Sequence, residues 1–174
     1  MSRSLRAVLA LFAVLALALG VAASAPAQTP ATPTLGDSAF IIAATQSNLF
    51  EIQTGQIAES RGSSRDVRAI GRLLVADNTK QLQVGASAAQ ALVLPTLPTL
   101  PNGVQQEVVK QLNKLRGPRF DRAFLQAQVT AHNGAIAVYT GEATYTTSPT
   151  LRVLAVNALP VLGAHLGMVQ GLIG

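Results

Sequence analysis

The sequence predicts an all-α fold: a four-helix bundle with a short extra helix and a proline-rich connection. Four long segments repeat apolar residues at helical spacing, and glycine, proline or serine interrupts the chain between them. Alanine, leucine and glutamine dominate, and no segment shows the alternating pattern of a strand. Four long helices joined by three connections form an up-and-down or a crossover bundle.

Residues 1–27 are predicted to be a secretory signal peptide. Arg3 and Arg6 precede an uncharged apolar run, AVLALFAVLALALGVAA, and the small residues of SAPAQ follow it. Cleavage after Ala27 is favoured, because a cut after Ala25 would leave a proline next to the scissile bond. The alternative is a retained membrane anchor, but the run is slightly short for a membrane span.

The chain that follows, residues 28–174, is expected to form one exported domain without a second long apolar stretch. It has no cysteine, which excludes disulfide bonds and a lipid-anchored lipoprotein, so packing must stabilise it. Losing Arg3 and Arg6 lowers the formal net charge from +5 to +3. This mild excess of positive charge predicts no role in binding nucleic acid.

Residues 28–36 are polar and proline-rich, which predicts a disordered leader before a bundle domain at residues 37–174. Asp37 or Ser38 can cap a first helix that runs from about Ala39 to Ser60.

Ser64 follows a break at RGSS and can cap a second helix that reaches about Leu92. The next segment, LPTLPTLPNG, repeats Pro-Thr-Leu from Pro95. Proline at every third residue favours an extended, polyproline-like path across the end of the bundle. The same spacing is also compatible with a proline-rich recognition ligand.

Three more helices are expected after this connection. A short amphipathic segment covers Val104 to Leu115, and a third long helix runs from about Arg119 to Tyr145. Ser148 can cap a fourth long helix, with Pro149 at its first position, that continues to about Ile173.

The third long helix carries a line of polar residues inside its apolar face. At ~100° per residue its apolar side chains form one arc, and His132 falls near the middle of that arc. Asp121, Gln128 and Tyr139 lie on the same line, so the helix is predicted to bury a polar seam. The arc consists of Phe120, Phe124, Leu125, Val129, Ala131, Ala135, Ile136 and Val138.

Each of the other long helices contributes one polar residue to the predicted interior. Glu51 lies on the small-residue face of the first helix, Asn78 near the centre of the arc of the second, and His165 within the arc of the fourth. The residues around them are Phe40, Ala44, Ser47, Gly55 and Ala58; Val67, Ile70, Leu74, Gly85 and Leu92; and Leu151, Leu154, Val161, Leu162, Val169 and Leu172.

Two interpretations of these inward residues stay open. Glu51, His132 and His165 could converge as ligands of a transition metal, the one cofactor that the sequence suggests, because carboxylates and imidazoles from different helices bind iron or manganese in bundles. Alternatively, the polar groups pair with one another and determine which helix faces which. The Glu-x-x-His pairs of di-iron bundles are absent, since Val129 and Leu162 stand three residues before the histidines. The structural interpretation is therefore favoured.

No catalytic or organic-cofactor residues are predicted, because the sequence has no Gly-rich phosphate loop, no Ser-His-Asp spacing and no cysteine nucleophile. Arg65, Arg68 and Arg72 form a stripe on the second helix, opposite its apolar face. This stripe could contact anionic lipid or cell wall, although a solvated helix face is the favoured interpretation.

Four segments resemble, in order, the blocks of a bacterial exported family, domain-of-unknown-function family 4142, whose members are labelled as predicted outer-membrane or membrane proteins. They are FEIQTGQIAES, VRAIGRLLVADNTKQLQ, RFDRAFLQAQVTAH and LRVLAVNALPVLGAHL, and they are spread over nearly all of the chain after the signal peptide. The most specific part is Phe120 and Asp121 followed by Gln128 and His132.

The resemblance implies a ferritin-like arrangement of the four helices. The family pattern has a glutamate where Glu51 stands and histidines where His132 and His165 stand. Its second block usually reads Asp-His-Thr-Lys, whereas this chain has an asparagine, Asn78, at the second position. Because an amide is a poor ligand for a transition metal, this departure weakens a metal site in this chain.

The sequence therefore predicts an exported periplasmic or envelope bundle that is not an enzyme, with a stress-related or envelope-related role. The first alternative is a metal-binding bundle, including a redox-active one, that uses Glu51, His132 and His165. The second alternative is a binding module that presents the proline-rich segment or the arginine stripe to a partner.

Removal of the signal peptide is the first testable prediction. Mass spectrometry of the protein isolated from the cell envelope is expected to find an N-terminus near Gln28, because Ala27 is the favoured cleavage site. An intact Met1 in the isolated protein would contradict both the export prediction and the domain boundaries.

Overall fold

The computed structural model describes residues 34–94 and 96–173, and it contains five α-helices and no strand in these residues. The predicted all-α class, with four long helices and one short one, is therefore confirmed. The predicted signal peptide and residues 28–33 of the predicted leader lie outside the described residues. The helices are α1 (Leu35–Arg61), α2 (Arg65–Ala91), α3 (Gly103–Lys114), α4 (Gly117–Tyr145) and α5 (Pro149–Ile173).

The four long helices form two antiparallel hairpins, α1–α2 and α4–α5. In addition, α1 packs on α4 and α2 packs on α5, so each long helix has two long neighbours. Because α4 begins beside the α1–α2 turn, the connection from α2 to α4 runs from one end of the bundle to the other. The short helix α3 lies on this connection and packs against α1 and α4. Two hairpins joined by one long crossover make a known class of four-helix bundle, and the ferritin-like assignment stays a prediction.

The first helix begins earlier than the sequence predicts. Thr34 and Asp37 form a reciprocal capping box, in which the Asp37 N–H donates to the Thr34 hydroxyl at 3.1 Å and the Thr34 N–H donates to the Asp37 carboxylate at 2.7 Å. The predicted start at Ala39, with Asp37 or Ser38 as the cap, is therefore wrong. The helix also takes the last two residues of the predicted disordered leader at 28–36.

The other long helices begin close to their predicted positions. The hydroxyls of Ser64 and Ser148 accept hydrogen bonds from the backbone N–H groups of Val67 at 3.0 Å and Leu151 at 3.3 Å, which confirms both as caps. The start of α4 is Gly117, two residues earlier than predicted, because a proline is tolerated in the first turn of a helix.

Two aspartates fasten the hairpins to each other at opposite ends of the bundle. Asp121, near the start of α4, accepts hydrogen bonds from the Ser63 and Ser64 N–H groups, both at 2.8 Å, and from the Ser63 hydroxyl at 2.6 Å. Asp37, near the start of α1, accepts one from the Thr146 hydroxyl at 2.8 Å. Each hairpin therefore holds the turn of the other. Burial acts to raise the pKa of Asp121, but the hydrogen bonds from both serines together outweigh it and lower that pKa.

Two apolar clusters fill the interior, and a layer of polar residues separates them along every long helix. We call this the polar layer; it consists of Glu51, Asn78, Gln128, His132 and His165. Both apolar clusters lie within residues 40–169, so the helices contain their own core. One consists of Phe40, Ile41, Ala44, Ala88, Ala89, Tyr139, Leu151, Leu154, Ala155 and Ala158; the other of Ala58, Val67, Ile70, Leu74, Leu112, Phe120, Phe124, Leu125 and Val169.

Two residues of the predicted apolar arcs are exposed instead. Val138 is 42% exposed because it lines an open groove between α1 and α4, and Leu172 is 37% exposed in the last turn of α5. The expectation of no second long apolar stretch is also wrong. By length and composition alone α5 could cross a membrane, yet in this fold it is the fourth helix of the bundle and buries Leu151, Ala155 and Val169.

The backbones of α1 and α2 approach each other closely where two glycines face one another. A Cβ atom on Gly71 would lie 2.6 Å from the Gly55 carbonyl oxygen, and one on Gly55 would lie 2.7 Å from the Gly71 carbonyl oxygen. Both clashes are with backbone atoms, which cannot rotate away as a side chain can. A larger residue at either position would therefore push the two helices apart.

This contact predicts opposite effects for the same substitution at two helical glycines. Gly71→Ala is expected to lower the free energy of unfolding by about 2 kcal/mol, because α1 and α2 must separate to admit the methyl group. Gly134→Ala is the matched control: it has open space around it and is expected to raise stability by about 0.5–1 kcal/mol, since alanine is the better helix former. Urea unfolding measures both, and equal effects would contradict the close α1–α2 packing.

Candidate functional site

The polar layer brings together side chains from all four long helices. Glu51 comes from α1, Asn78 from α2, Gln128 and His132 from α4, and His165 from α5. None of the five is more than 5% exposed. Buried polar groups need partners, so the hydrogen bonds of this layer decide what it can do.

His132 is held by its own helix. Its Nδ1 lies 2.9 Å from the backbone carbonyl oxygen of Gln128, one turn earlier. A carbonyl oxygen can only accept, so Nδ1–H donates and Nε2 carries the lone pair of the neutral ring. That Nε2 is buried without a hydrogen-bond partner among the described residues. Burial lowers the pKa of His132 to about 4, and the nearby His165 adds to this effect.

Glu51 lies beside this ring as a neutral acid. Its Oε1 is 3.9 Å from Nδ1 of His132, which is too long for a hydrogen bond. Burial raises the pKa of Glu51 to about 8, against a smaller opposing effect of the Gln128 side chain. At neutral pH the two groups are therefore an uncharged carboxylic acid and an uncharged imidazole, and they do not form an ion pair.

Gln128 connects the layer to α1. Its Nε2 donates to the Thr54 hydroxyl at 2.9 Å, and that hydroxyl donates in turn to the Phe50 carbonyl oxygen at 2.9 Å. In the described part of the chain, Gln128 Oε1 and Glu51 Oε2 are buried without a partner, like Nε2 of His132. A single proton on Glu51 can serve only one of these three atoms. The layer thus has a surplus of buried acceptors, which a water molecule or a cation would satisfy.

His165 connects the layer to the surface. Its Nε2 lies 3.1 Å from Oδ2 of Asp77, whose side chain is 26% exposed. The rings of His165 and His132 pack edge to face, with centroids 5.5 Å apart and planes at 80°. A path of titratable groups therefore leads from Asp77 through two imidazoles to Glu51.

A cavity of about 10 Å³, which has room for about one water molecule, lies beside His165. Asn78 and Tyr139 line it. Asn78 donates to the Leu74 carbonyl oxygen at 2.9 Å in its own helix. Burial raises the pKa of Tyr139 to about 12, opposed by the side chain of Asn48. The space beside the layer can thus hold a water molecule or a single ion.

The structure places the predicted site residues in two groups. Glu51, His132 and His165 are neighbours in the polar layer, although His165 is bonded to Asp77. Nowhere in the described helices and turns are three or more His, Asp or Glu side chains arranged to bind a metal ion. Asp121 is buried as part of the predicted seam, but it lies at one end of the bundle and binds the α1–α2 turn.

Asp77, Thr54 and Asn48 also contact this site, and none of the three was predicted from the sequence. Asp77 had one signal, because it is a charged residue directly beside the inward Asn78 in the sequence. The hydroxyl of Thr54 had no such signal in the sequence, since small residues dominate that face of α1.

Residues 21–172 match the domain of unknown function DUF4142. The chain belongs to the DUF4142 family. This confirms the resemblance drawn from the four sequence blocks, and the match covers the whole bundle of this DUF4142 chain except its last residues. Among curated proteins, none matches the chain.

Two solved structures share the fold of this DUF4142 chain. One is the crystal structure of a DUF305 fragment from Deinococcus radiodurans, at 18% identity and a TM-score of 0.72, over 84% of this chain and 99% of that one. The other is a DUF305 protein from Streptomyces coelicolor, named as a candidate secreted protein, at 15% identity and a TM-score of 0.67, over 79% of this chain and 90% of that one. At these identities the similarity shows the helical fold alone.

The buried acid and base predict how stability depends on pH. The pKa of Glu51 is about 8 in the folded chain and ordinarily 4.5, so its effect lowers stability as pH rises between these values. The pKa of His132 is about 4 in the folded chain and ordinarily 6.5, so its effect raises stability over that range. The two effects offset each other up to about pH 6.5. Above it, Glu51 alone is expected to lower the free energy of unfolding by about 2 kcal/mol by pH 8.

Two matched substitutions on α1 test this expectation. Glu51→Gln should remove the loss of stability between pH 6.5 and 8, whereas Glu59→Gln, at an exposed position of the same helix, should preserve it. Urea unfolding at a series of pH values measures the difference. A wild-type profile that is flat over this range would show that Glu51 is not held as a neutral acid.

Proposed function

We propose that this DUF4142 chain is an exported, non-enzymatic helical-bundle protein of the cell envelope. The observation that carries the proposal is that the polar layer is closed to solvent. Its residues are at most 5% exposed, and the cavity beside it has room for about one water molecule. Glu51 and His132 have the ordinary chemistry of a general acid and base. Both side chains are almost wholly buried, which closes them to an organic substrate in this conformation, so their perturbed pKa values serve the fold.

Export is supported by two observations. Residues 1–27 have the charged start, apolar run and small residues of a signal peptide. The DUF305 protein from Streptomyces coelicolor that shares the fold is named as a candidate secreted protein.

In this proposal, the polar layer specifies how the two hairpins dock. The hydrogen bond from Gln128 to Thr54 joins α4 to α1, and the one between His165 and Asp77 joins α5 to α2. Both bonds therefore run between hairpins. A rotation or slip of one hairpin would break both and leave buried polar groups unpaired, at a cost of about 1–3 kcal/mol for each group. Apolar side chains alone would tolerate such a slip better.

Metal binding is a second candidate function for the same layer. Nδ1 of His132 is held by a backbone carbonyl and Nε2 is unprotonated and unpaired, which is how protein structures orient a metal-binding histidine. Glu51 Oε2 is also unpaired, and it would bind a cation after losing its proton. The third ligand of the predicted set, His165, would have to use the ring nitrogen that does not face Asp77.

Added Zn²⁺ or Mn²⁺ distinguishes the two candidates. For a structural layer, we expect neither ion to change the melting temperature of the wild type, and His132→Gln to lower the free energy of unfolding by about 1–3 kcal/mol. For a metal site, the ion would raise the melting temperature by mass action. His132→Gln and Glu51→Gln would then abolish the rise, and Glu59→Gln would retain it. A rise that survives all three substitutions would place the ion elsewhere and contradict the second candidate.

A further inference from the structure

We infer that one end of the bundle docks on an anionic membrane surface. At this end α1 and α5 finish and α2 and α4 begin, and it gathers seven basic residues against three acidic ones, a formal net charge of +4. All other described residues together carry −1. We call this region the basic end; it consists of Arg61, Arg65, Arg68, Lys114, Arg116, Arg119 and Arg122 with Glu59, Asp66 and Asp121.

Hydrogen bonds between the elements bring these charges to one place. Asp121 of α4 binds the Ser63–Ser64 turn that precedes α2. The Arg61 guanidinium donates to the Asn113 carbonyl oxygen and thereby places the end of α3 beside the end of α1. The Asp121 oxygens accept from the turn and form no ion pair with an arginine among the described residues, and the net charge of +4 already includes this carboxylate.

Three arginines of the basic end are available to a partner. Arg65, Arg119 and Arg122 are exposed and make no side-chain hydrogen bond within residues 34–94 and 96–173. The ion pairs found in these residues involve lysine or histidine and never arginine. Arg68 differs, since its guanidinium donates to the Gly62 and Ser63 carbonyl oxygens and so caps α1. The arginine stripe predicted from the sequence is therefore divided between a capping role and a free surface.

Exposed apolar side chains lie at the same end. Met168, Leu172 and Ile173 in the last turns of α5 are 40%, 37% and 48% exposed. Arginines can bind lipid phosphates while such side chains enter the boundary with the acyl chains, and the electrostatic attraction and the burial of apolar area both strengthen binding. The backbone of a nucleic acid would satisfy the arginines but would offer nothing to these apolar groups.

Among the described residues, the opposite end of the bundle lacks this combination. It exposes Leu35 and Val93, but its arginine, Arg152, donates to the carbonyl oxygens at the end of α4. A second copy of the chain is also a poor partner for the basic end, because two such ends repel each other. Charge complementarity therefore selects an anionic bilayer and this end.

The inference rests on the proposed envelope location, where an exported chain meets such a membrane. Its test uses residues 28–174, which contain both apolar clusters, and vesicles of phosphatidylcholine with about one third phosphatidylglycerol. We expect the protein to sediment with these vesicles at low ionic strength, to be released as salt is added, and to ignore pure phosphatidylcholine. A different experiment, the N-terminus of the isolated protein, tests export, so the two can fail separately.

Two charge-matched variants locate the surface. R65Q/R119Q/R122Q is expected to weaken vesicle binding about a hundredfold, since each basic side chain near an anionic surface contributes about fivefold. R72Q/K80Q/K110Q removes the same charge elsewhere and is expected to weaken binding less than tenfold. Circular dichroism serves to check that both variants are folded, and we expect R65Q/R119Q/R122Q to fold because these side chains make no hydrogen bond or ion pair among the described residues.

An apolar pair of variants tests insertion in the same assay. Leu172→Ser with Ile173→Ser should weaken binding several-fold at every salt concentration, whereas Leu35→Ser with Val93→Ser should leave it unchanged. Absence of binding at low salt, or equal weakening by the two charge variants, would overturn the inference. The inference would also be overturned if the protein bound a DNA duplex as tightly as it binds the vesicles, and if the Leu172 and Ile173 changes did not weaken that DNA binding. The surface would then bind polyanions in general.

Discussion

The close contact between the α1 and α2 backbones constrains everything else in the bundle. With Gly55 against Gly71, neither helix can rotate about its axis without a backbone clash. Glu51 stands one turn before Gly55 on the same face of α1, so the contact turns its carboxyl group inward. Asn78 follows Gly71 by two turns on α2 and is directed inward in the same way. Two of the five residues of the polar layer are therefore positioned by glycines, which have no side chain.

A small interior tolerates Glu51 and His132 because their protons are distributed to leave both groups uncharged. Burial makes Glu51 keep its proton and His132 lose one, so neither group carries a charge in the folded chain near neutral pH. Desolvating charged forms of both would cost far more than desolvating neutral ones. What remains is an excess of hydrogen-bond acceptors, and this excess makes the layer sensitive to a proton, a water molecule or a cation.

Helical periodicity was sufficient to predict the four long helices and the inward position of their polar residues. The sequence of one helix is enough to show a polar residue within the face that points inward. This is how Glu51, Asn78, His132 and His165 could be recognised. The partners of these residues depend on how helices pack, which no single helix shows. Asp77 is rotated by ~100° from Asn78, so periodicity places it outside the arc, and only the position of α5 makes it the partner of His165.

Local composition misled at the leader, and helical periodicity was incomplete at Asp121, each for a physical reason. The proline-rich leader suggested disorder up to residue 36, but a threonine three residues before an aspartate forms a capping box that extends α1 into it. Asp121 falls on the same helical line as His132, and periodicity correctly buries it. Its distance along α4 places it at the end of the bundle, where a turn 58 residues earlier in the chain needs an acceptor.

The reciprocal ties of Asp121 and Asp37 also influence the order of folding events. They join residues that are 58 and 109 positions apart, so each bond closes a long loop. Contacts within a hairpin are closer in sequence and form at a smaller entropic cost. We therefore expect the hydrogen bonds of Asp121 and Asp37 to form after the hairpins during folding. Interactions that form after the transition state act mainly on the rate of unfolding. If their hydrogen bonds form after the transition state, we expect the two carboxylates to govern how long the folded bundle persists more than how quickly it forms.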